Sequence, residues 1–448
     1  MTQDKIKSIH AEVRLRNKRV GLLTKQSNQK FIFSYDDSYL RKKDAIAISI
    51  KFPLGNKEYI ASKLHAFFDN LIMEGWLLNQ AEKIFQVDKK NRWGLLMLIG
   101  ANPIGAVSIH ALNDEGDLIN DAVEETNDAV GLFPVNIPGK YSMCSFCLKP
   151  IKAPGRYHVT CYRKLWGTSK ALHAELDKTN PLLTFSRTVH DGSISGAQRK
   201  GLFALEKGKL IVSASHSNYI LKPDGDYPEL PANEHLTMTA AKRLKFDVPA
   251  TGLIEIENIG FVFVIKRFDR TSSGEKLLVE DMAQIYEEAS DDKYSLSHEK
   301  VAEAIKKYTQ AGPLNLNDFF RRIIFCYITA NGDMHLKNWS LLEMEKAKGI
   351  YRLCPIYDWL NTRCALPKEK NELAIPLSGK QNNMQKSYFL KFAIEALDIK
   401  KEYVESVFNE VAKWEAEIQK LIPHSFLTAK MKKTYSSLVK ERSKIFID

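Results

Sequence analysis

The sequence predicts an α+β fold in which two unlike lobes enclose a cleft, behind a small N-terminal α+β unit. Three observations carry that reading. The region from about residue 180 to 270 is rich in strand patterns, among them "GKLIVSAS", "SNYILKP", "TGLIEIEN" and "GFVFVIKRF". From there onward apolar residues recur at helical spacing, as in "SHEKVAEAIKKYTQ" and "NDFFRRIIFCYITA". At 448 residues the chain is also long for a single hydrophobic core, so two or three domains are expected.

Taken in order, residues 1–111 form the first unit. "HAEVRLRNKRVGLL" and "KFIFSY" alternate apolar and polar residues, as half-buried strands do. "SKLHAFFDNLIMEGWLLNQAEKIF" then has helical periodicity, and the glycines of "RWGLLMLIGANPIGAVSIH" divide it into a helix end and a strand. Residues 112–130 hold seven acids and no bases, and 112–140 is expected to be a solvated linker. A Cys/His-rich, zinc-ribbon-like segment spans 141–170, the β-rich lobe 171–270 and the helical lobe 271–448.

Composition excludes several classes. A hydrophobic fraction of 44% with 10% aromatics belongs to a globular chain, not a disordered one. The start "MTQDKIKSIH" lacks an apolar signal core, and no window approaches eighteen apolar residues, so neither export nor a membrane span is expected. Six cysteines are too few for a disulfide framework at this length, which fits a reducing cytoplasm. The formal charge of +11 favours polyanionic contacts such as nucleotide, nucleic acid or an acidic partner.

The densest chemistry is in "ITANGDMHLKNWSLL", residues 328–342, where a polar cluster lies between two apolar runs. Charged groups at such a junction are costly unless paired or bound to a ligand. Asp333 and Asn338 are five apart, and Asp358 follows in "YRLCPIYDWLNT" after a predicted β-hairpin. An acid, an amide five residues on and a second acid after a hairpin are the minimal apparatus of phosphoryl transfer in protein kinases. The first acid serves the substrate hydroxyl, and the other two hold magnesium through hard oxygen donors.

The β-rich lobe supplies the rest. "HDGSISGAQRKGLFAL" is a small-residue loop whose backbone amides could cradle phosphate, though it is neither a Walker loop nor Gly-x-Gly-x-x-Gly. Lys222 sits in the strand of "NYILKPDG", where it needs an anion, and "NEHLTMTAAKRL" offers Glu234 on a helix as its partner. "FVFVIKRFDR" reads as a strand entering an interlobe hinge.

In that order, "SISGAQRK", "YILKP", "NEHLTM", "IKRFDR", "EDMAQ", "GDMHLKN" and "YDWLNT" resemble the successive signatures of the HipA family of bacterial serine/threonine kinase toxins. "SYDDSYL", "FFDNLIMEGW" and "IGANPIGAVSIH" resemble that family's N-terminal domain, so the likeness spans nearly the whole chain. The resemblance implies a bilobal protein-kinase-like fold, related to that of the PI3/4 kinases, and an ATP- and magnesium-dependent enzyme. It makes Asp333 catalytic and Asn338 and Asp358 the magnesium ligands. Lys222 contacts the phosphates, and Ser195, Gly196, Ala197, Gln198, Arg199 and Lys200 cover them. Lys266, Arg267 and Phe268 occupy the hinge, and His335, Lys337, Tyr357 and Trp359 line the nucleotide cleft. Ser193 and Ser195 are the implied autophosphorylation sites. Two positions depart from the family pattern: Arg199, where proline or glutamate is more usual, and Lys266, where HipA has an acid.

The resemblance further implies a HipB-like helix-turn-helix antitoxin as partner and contact with operator DNA through it. Its implied substrate is a translation component such as an aminoacyl-tRNA synthetase. Two other readings use the same residues: a non-catalytic regulator built on a kinase fold, and a small-molecule kinase.

"CSFCLKPIKAPGRYHVTC" sets Cys144, Cys147, His158 and Cys161 in a C-x2-C-x10-H-x2-C spacing that suits tetrahedral zinc. Buried thiols without a metal are the alternative. Cys326, Cys354 and Cys364 lie in apolar runs and read as core residues. The basic C-terminal stretch reads as the solvated face of a helix rather than a nucleic-acid tract.

Overall fold

A computed structural model describes residues 2–119, 130–135, 142–151, 156–191, 193 and 198–447. The N-terminal unit is an antiparallel five-stranded sheet, ordered Tyr59–Ala61, Phe31–Tyr35, Lys18–Lys25, His10–Leu15 and Val107–Leu112. The buried residues of its alternating strands meet the helix Arg92–Ile99, in which every residue from Trp93 onward is buried. A helix apolar on all sides has to be enclosed. Here it lies between the small sheet and the rest of the molecule, within one continuous core.

The β-rich lobe is a seven-stranded sheet in the order Thr251–Ile256, Gly260–Lys266, Tyr219–Pro223, Gly201–Glu206, Lys209–Val212, His173–Asp177 and Val130–Pro134. Its two faces belong to different cores, and strand alternation decides which residue goes where. In Tyr219–Pro223, Tyr219 and Leu221 join a cluster with Tyr162, Leu165 and Trp166 on one face. Ile220 and Lys222 point the other way, into the cleft. The helix Leu230–Arg243 begins with Pro231 in its first turn and is buried over most of its length.

The last strand of that sheet is a correction. The acidic stretch was expected to remain a linker as far as residue 140, yet Val130–Pro134 pairs antiparallel with His173–Asp177. It is an edge strand in which the apolar Val130 and Leu132 are exposed and the buried position is Gly131, so it lacks the apolar-in, polar-out alternation of a half-buried strand. Most of the acids lie in 120–129, outside the described residues.

The second lobe is helical, with long helices His298–Tyr308, Gly312–Ile328, Lys386–Glu395, Lys401–Leu421 and Ala429–Ile447. Set into its cleft side is a small sheet of Val279–Asp281, Ser340–Met344 and Ala347–Leu353. The last two strands are the predicted hairpin, and their pairing brings side by side the two polar segments that carry Asn338 and Asp358. Cys326, Cys354 and Cys364 are buried, as expected. Among the described residues no helix is long and apolar enough to cross a membrane.

The N-terminal unit docks on this lobe through specific polar contacts. Ser49 Oγ and the Ile50 N–H donate to the buried Glu280 at 2.7 and 2.9 Å. The Gly105 N–H donates to Asp269 at 2.9 Å, and Gln284 donates to the Phe67 carbonyl at 3.0 Å.

Candidate active site

The polar loop after Gly312–Ile328 is built by its own hydrogen bonds. Asn338 Nδ2 donates to the Asp333 carbonyl at 2.7 Å, and the Asn338 N–H donates to the His335 carbonyl at 2.9 Å. This closes a short turn that explains why the acid and the amide must be five residues apart. Asp333 itself is half exposed, with its Oδ1 accepting from Tyr294 Oη at 2.7 Å.

Lys222 crosses the cleft. Its Nζ donates to Glu234 Oε1 at 2.6 Å and to Asp358 Oδ1, although the three residues come from a strand, a helix and the segment after the hairpin. Burial alone would depress the Lys222 ammonium, but Asp358 and Glu234 outweigh it and keep it charged. Burial alone would likewise raise Asp358, but Lys222 and Lys200 outweigh it and hold the carboxyl at about 2. Glu234 has no exposure, and burial pushes it up to about 7 against the pull of Lys222. Asp358 also has a left-handed backbone, with φ 55°. That conformation is uncommon outside glycine, and Asp and Asn tolerate it better than other residues.

Two cavities meet at these groups. The first, about 1040 Å³, has apolar walls from Ile220, Ile265 and Phe268, whose ring stacks on Tyr357 with centroids 5.5 Å apart. Its polar end holds Lys200, Lys222, Asn338 and Asp358. The second contains Asp333 and shares Lys200, His335, Asn338 and Asp358 with the first. An apolar slot ending in two ammoniums and two hard oxygen donors fits a nucleoside triphosphate with a divalent cation. The neighbouring cavity leaves Asp333 facing a separate reactant.

Several predicted residues are placed differently. Trp359 does not line the cleft; it is buried and stacks on Phe325 at 5.2 Å, so its ring is core. Lys266 and Arg267 do line it, but their N–H groups already donate to the Ala250 and Asn218 carbonyls. The Arg267 guanidinium is clamped by Asp269 at 2.6 Å and by Ser217 at 2.7 Å. Among the hinge residues, Phe268 and the exposed Lys266 therefore present side chains to the cavity, while that of Arg267 is engaged. Gln198, Arg199 and Lys200 are described, with Arg199 lying over the Trp76 ring at 5.4 Å. Ser195, Gly196 and Ala197 lie outside the described residues. Ser193 is described: it is buried, lines the first cavity, and its hydroxyl has no partner among the described atoms.

Lys337 was expected at the cleft, but its partners from the N-terminal unit were not. Lys337 is buried, and its ammonium pairs with Glu74 at 2.5 Å and Asn70 at 2.8 Å, both from the N-terminal unit. Glu74 also pairs with Lys293 at 3.2 Å. Together with Leu71 and Ile104, Asn70 makes the N-terminal unit part of the cavity wall. The only available signal was the motif "FFDNLIMEGW" itself, which says nothing of a contact more than 260 residues away.

The buried histidines give a pH prediction. Burial takes His235, His298 and His335 each down to about 4, and for His335 the nearby Asp333 only partly opposes this. Unfolded, each would bind a proton near pH 6.5. Between about pH 6.5 and 4 the unfolded state therefore binds more protons, and stability is lost as pH falls through that window. The slope is about 1.4 kcal/mol per pH unit for each histidine. Urea melts from pH 7 to 5 should show a falling midpoint and a shallower fall in His298→Gln. A flat midpoint would contradict the assignment.

A two-lobed fold with a lysine–glutamate pair in the β-rich lobe and an acid–amide–acid set in the helical lobe defines the kinase-like class. The comparisons then give the family. The HipA N-terminal domain matches residues 11–110, the HipA-like C-terminal domain matches residues 192–418, and the chain belongs to the HipA family. A Sinorhizobium fredii protein named "Putative kinase Y4dM" is 26% identical over 374 residues, 78% of this chain and 76% of that protein. A Haemophilus influenzae protein named "Putative kinase" is 33% identical over 266 residues, 54% of this chain and 74% of that protein. The toxin–antitoxin HipA of Shewanella oneidensis, solved with HipB and operator DNA, shares the fold with a TM-score of 0.67 at 18% identity. That match covers 97% of this chain and 96% of the solved one.

Proposed function

We propose that the protein is an ATP- and magnesium-dependent serine/threonine protein kinase of the HipA toxin type. The observation that carries the reading is the Lys222 bridge between Glu234 and Asp358 at the junction of the two cavities. When bound, magnesium-ATP supplies a transferable phosphoryl group whose negative charge the cation partly neutralises. Asn338 and Asp358 are the residues to hold the cation, and Lys222 and Lys200 offer positive charge to phosphate oxygens. Phe268 and Tyr357 give an aromatic surface to the base, and Asp333 orients a substrate hydroxyl and accepts its proton.

The partner and substrate follow from the family. A HipB-like antitoxin, operator DNA reached through it, and a translation component such as an aminoacyl-tRNA synthetase fit a cytoplasmic kinase of this type. Comparing phosphoproteomes of cells expressing wild type and Asp333→Asn tests the substrate. A single phosphosite rising only with wild type is the expected result, and identical phosphoproteomes would remove the proposal.

Ser193 extends the reading to self-control. Its hydroxyl is enclosed in the nucleotide cavity, while its N–H donates to the Asn102 carbonyl at 3.2 Å. A phosphate there would bring close to two negative charges into a space needed for the nucleotide phosphates. Ser193 has to leave the cavity to accept that group, and nucleotide affinity should fall. Intact-mass and ATP-binding measurements on wild type and Ser193→Ala check this, with Ser195→Ala separating the two serines. Phosphorylated protein that binds ATP as tightly as before would end the self-silencing idea.

A further inference from the structure

The ligand atoms of Cys144, Cys147, His158 and Cys161 all lie within 4.8 Å of one another. His158 Nδ1 is 3.4 Å from Cys147 Sγ and 3.9 Å from Cys161 Sγ. Ligands at about 2.3 Å for sulfur and about 2.0 Å for nitrogen around a tetrahedral zinc stand roughly 3.5 Å apart, so these separations bracket the zinc value. The outer contacts agree. His158 Nε2 is 3.0 Å from the Pro150 carbonyl, which can only accept, so Nε2 carries the proton and Nδ1 turns its lone pair to the sulfurs. With four protein ligands, and Cys144 fully buried, the site has the closed form of a structural metal rather than a catalytic one.

The placement of the cluster gives it a consequence. Phe146, between the first two cysteines, presses on Gly252, where a Cβ would stand 2.1 Å from its ring. The Ser145 carbonyl accepts from the Leu253 N–H at 2.8 Å. The helix Val159–Trp166, which carries Cys161, sets Trp166 against Tyr219 with centroids 4.7 Å apart, and Tyr219 Oη donates to the Leu165 carbonyl at 3.0 Å. Tyr219 and Leu221 are the residues of the Lys222 strand that face away from the cleft. The Cys147 carbonyl accepts from Arg243 at 2.9 Å, in the last turn of the helix that carries Glu234.

We propose that Cys144, Cys147, His158 and Cys161 hold one zinc ion, and that this metal braces from behind both the strand carrying Lys222 and the helix carrying Glu234. Nucleotide binding then depends on a metal that never touches the nucleotide. The role given to Lys222 and Glu234 rests on the kinase reading; the metal site does not. Without zinc, three thiols and an imidazole face one another, the described halves of the knuckle keep only hydrogen bonds such as that of the Ser145 N–H to the Arg156 carbonyl at 2.9 Å, and the layer behind Tyr219 and Leu221 loosens.

The test begins with full-length protein purified without an affinity metal. Elemental analysis should find one zinc per chain, and cobalt exchanged into the site should give a thiolate-to-cobalt absorption band that Cys161→Ser weakens. Hydrogen exchange in peptides covering 219–223 and 230–243 should be at least about tenfold faster in chelator-treated wild type, and zinc should restore it. ATP affinity should fall and recover in step. The chelated wild type carries the comparison should Cys161→Ser fail to fold. Folded, metal-free wild type that takes up neither zinc nor cobalt would overturn the site. Zinc bound, but with exchange in those two peptides unchanged on its removal, would overturn the bracing. Zinc-loaded wild type that does not bind ATP would count against the kinase reading and leave the metal result intact.

Discussion

Replacing Asp333 with asparagine should reduce phosphoryl transfer by about 10²–10⁴-fold, the usual contribution of a positioned general base. The substitution keeps the shape of the side chain. Its neighbours make the same point: the turn is closed by the Asp333 main-chain carbonyl, which Asn338 Nδ2 reaches at 2.7 Å. The carboxylate has one described hydrogen bond, from Tyr294, and is half exposed. Fold and nucleotide affinity should therefore survive, because Asp333 lines the second cavity and not the first. The signature is a lost turnover with ATP affinity and thermal midpoint close to wild type. Loss of ATP binding together with turnover would mean that Asp333 supports the structure rather than the reaction.

Asp358→Asn should be as damaging by a different route. Asparagine accepts the left-handed backbone at φ 55°, so no conformational strain is introduced. Lys222 keeps Glu234 at 2.6 Å, so no buried charge is left without an opposite. What disappears is the anionic oxygen held at about 2, the only strongly acidic cation ligand of the pair with Asn338. Magnesium-dependent ATP affinity should fall by about a hundredfold or more, in the range found when a key electrostatic partner is removed. Metal-independent nucleotide binding should change little. Titration calorimetry with and without magnesium separates the two, and an unchanged magnesium dependence would refute the ligand assignment. Asp358→Ala is the poorer probe, since alanine in that backbone costs about 1–2 kcal/mol by itself.

The candidate site residues were legible because the chemistry proposed for them constrains short stretches. The acid and amide five apart close one turn, so their spacing survives in the sequence. Lys222 stood out as a charge within an apolar strand, and the structure resolves its cost with two carboxylates. Glu74 and Asn70 were not legible, because their partner Lys337 is remote in the chain and a buried ion pair has no local pattern. Trp359 failed for a different reason: the family resemblance placed it in the cleft, and nothing local to the motif shows where its ring packs. Its partners Phe246 and Phe325 come from other elements and draw the ring into the core. Arg267 was placed in the hinge by the resemblance, and Asp269 two residues on neutralises it there. The edge strand Val130–Pro134 was hidden because its apolar Val130 and Leu132 are exposed while Gly131 is buried, the reverse of the alternation that marks a half-buried strand.

The central claim is that Asp333, Asn338, Asp358 and Lys222 transfer phosphate from ATP to a protein hydroxyl. Incubating purified wild type and Asp333→Asn with radiolabelled ATP and magnesium, in the presence of a lysate of cells lacking the gene, tests it directly. The account predicts label on serine or threonine of protein with wild type and magnesium together, and none above background with Asp333→Asn or with magnesium chelated. Equal labelling by wild type and Asp333→Asn, or none by a wild type that binds ATP, would contradict it.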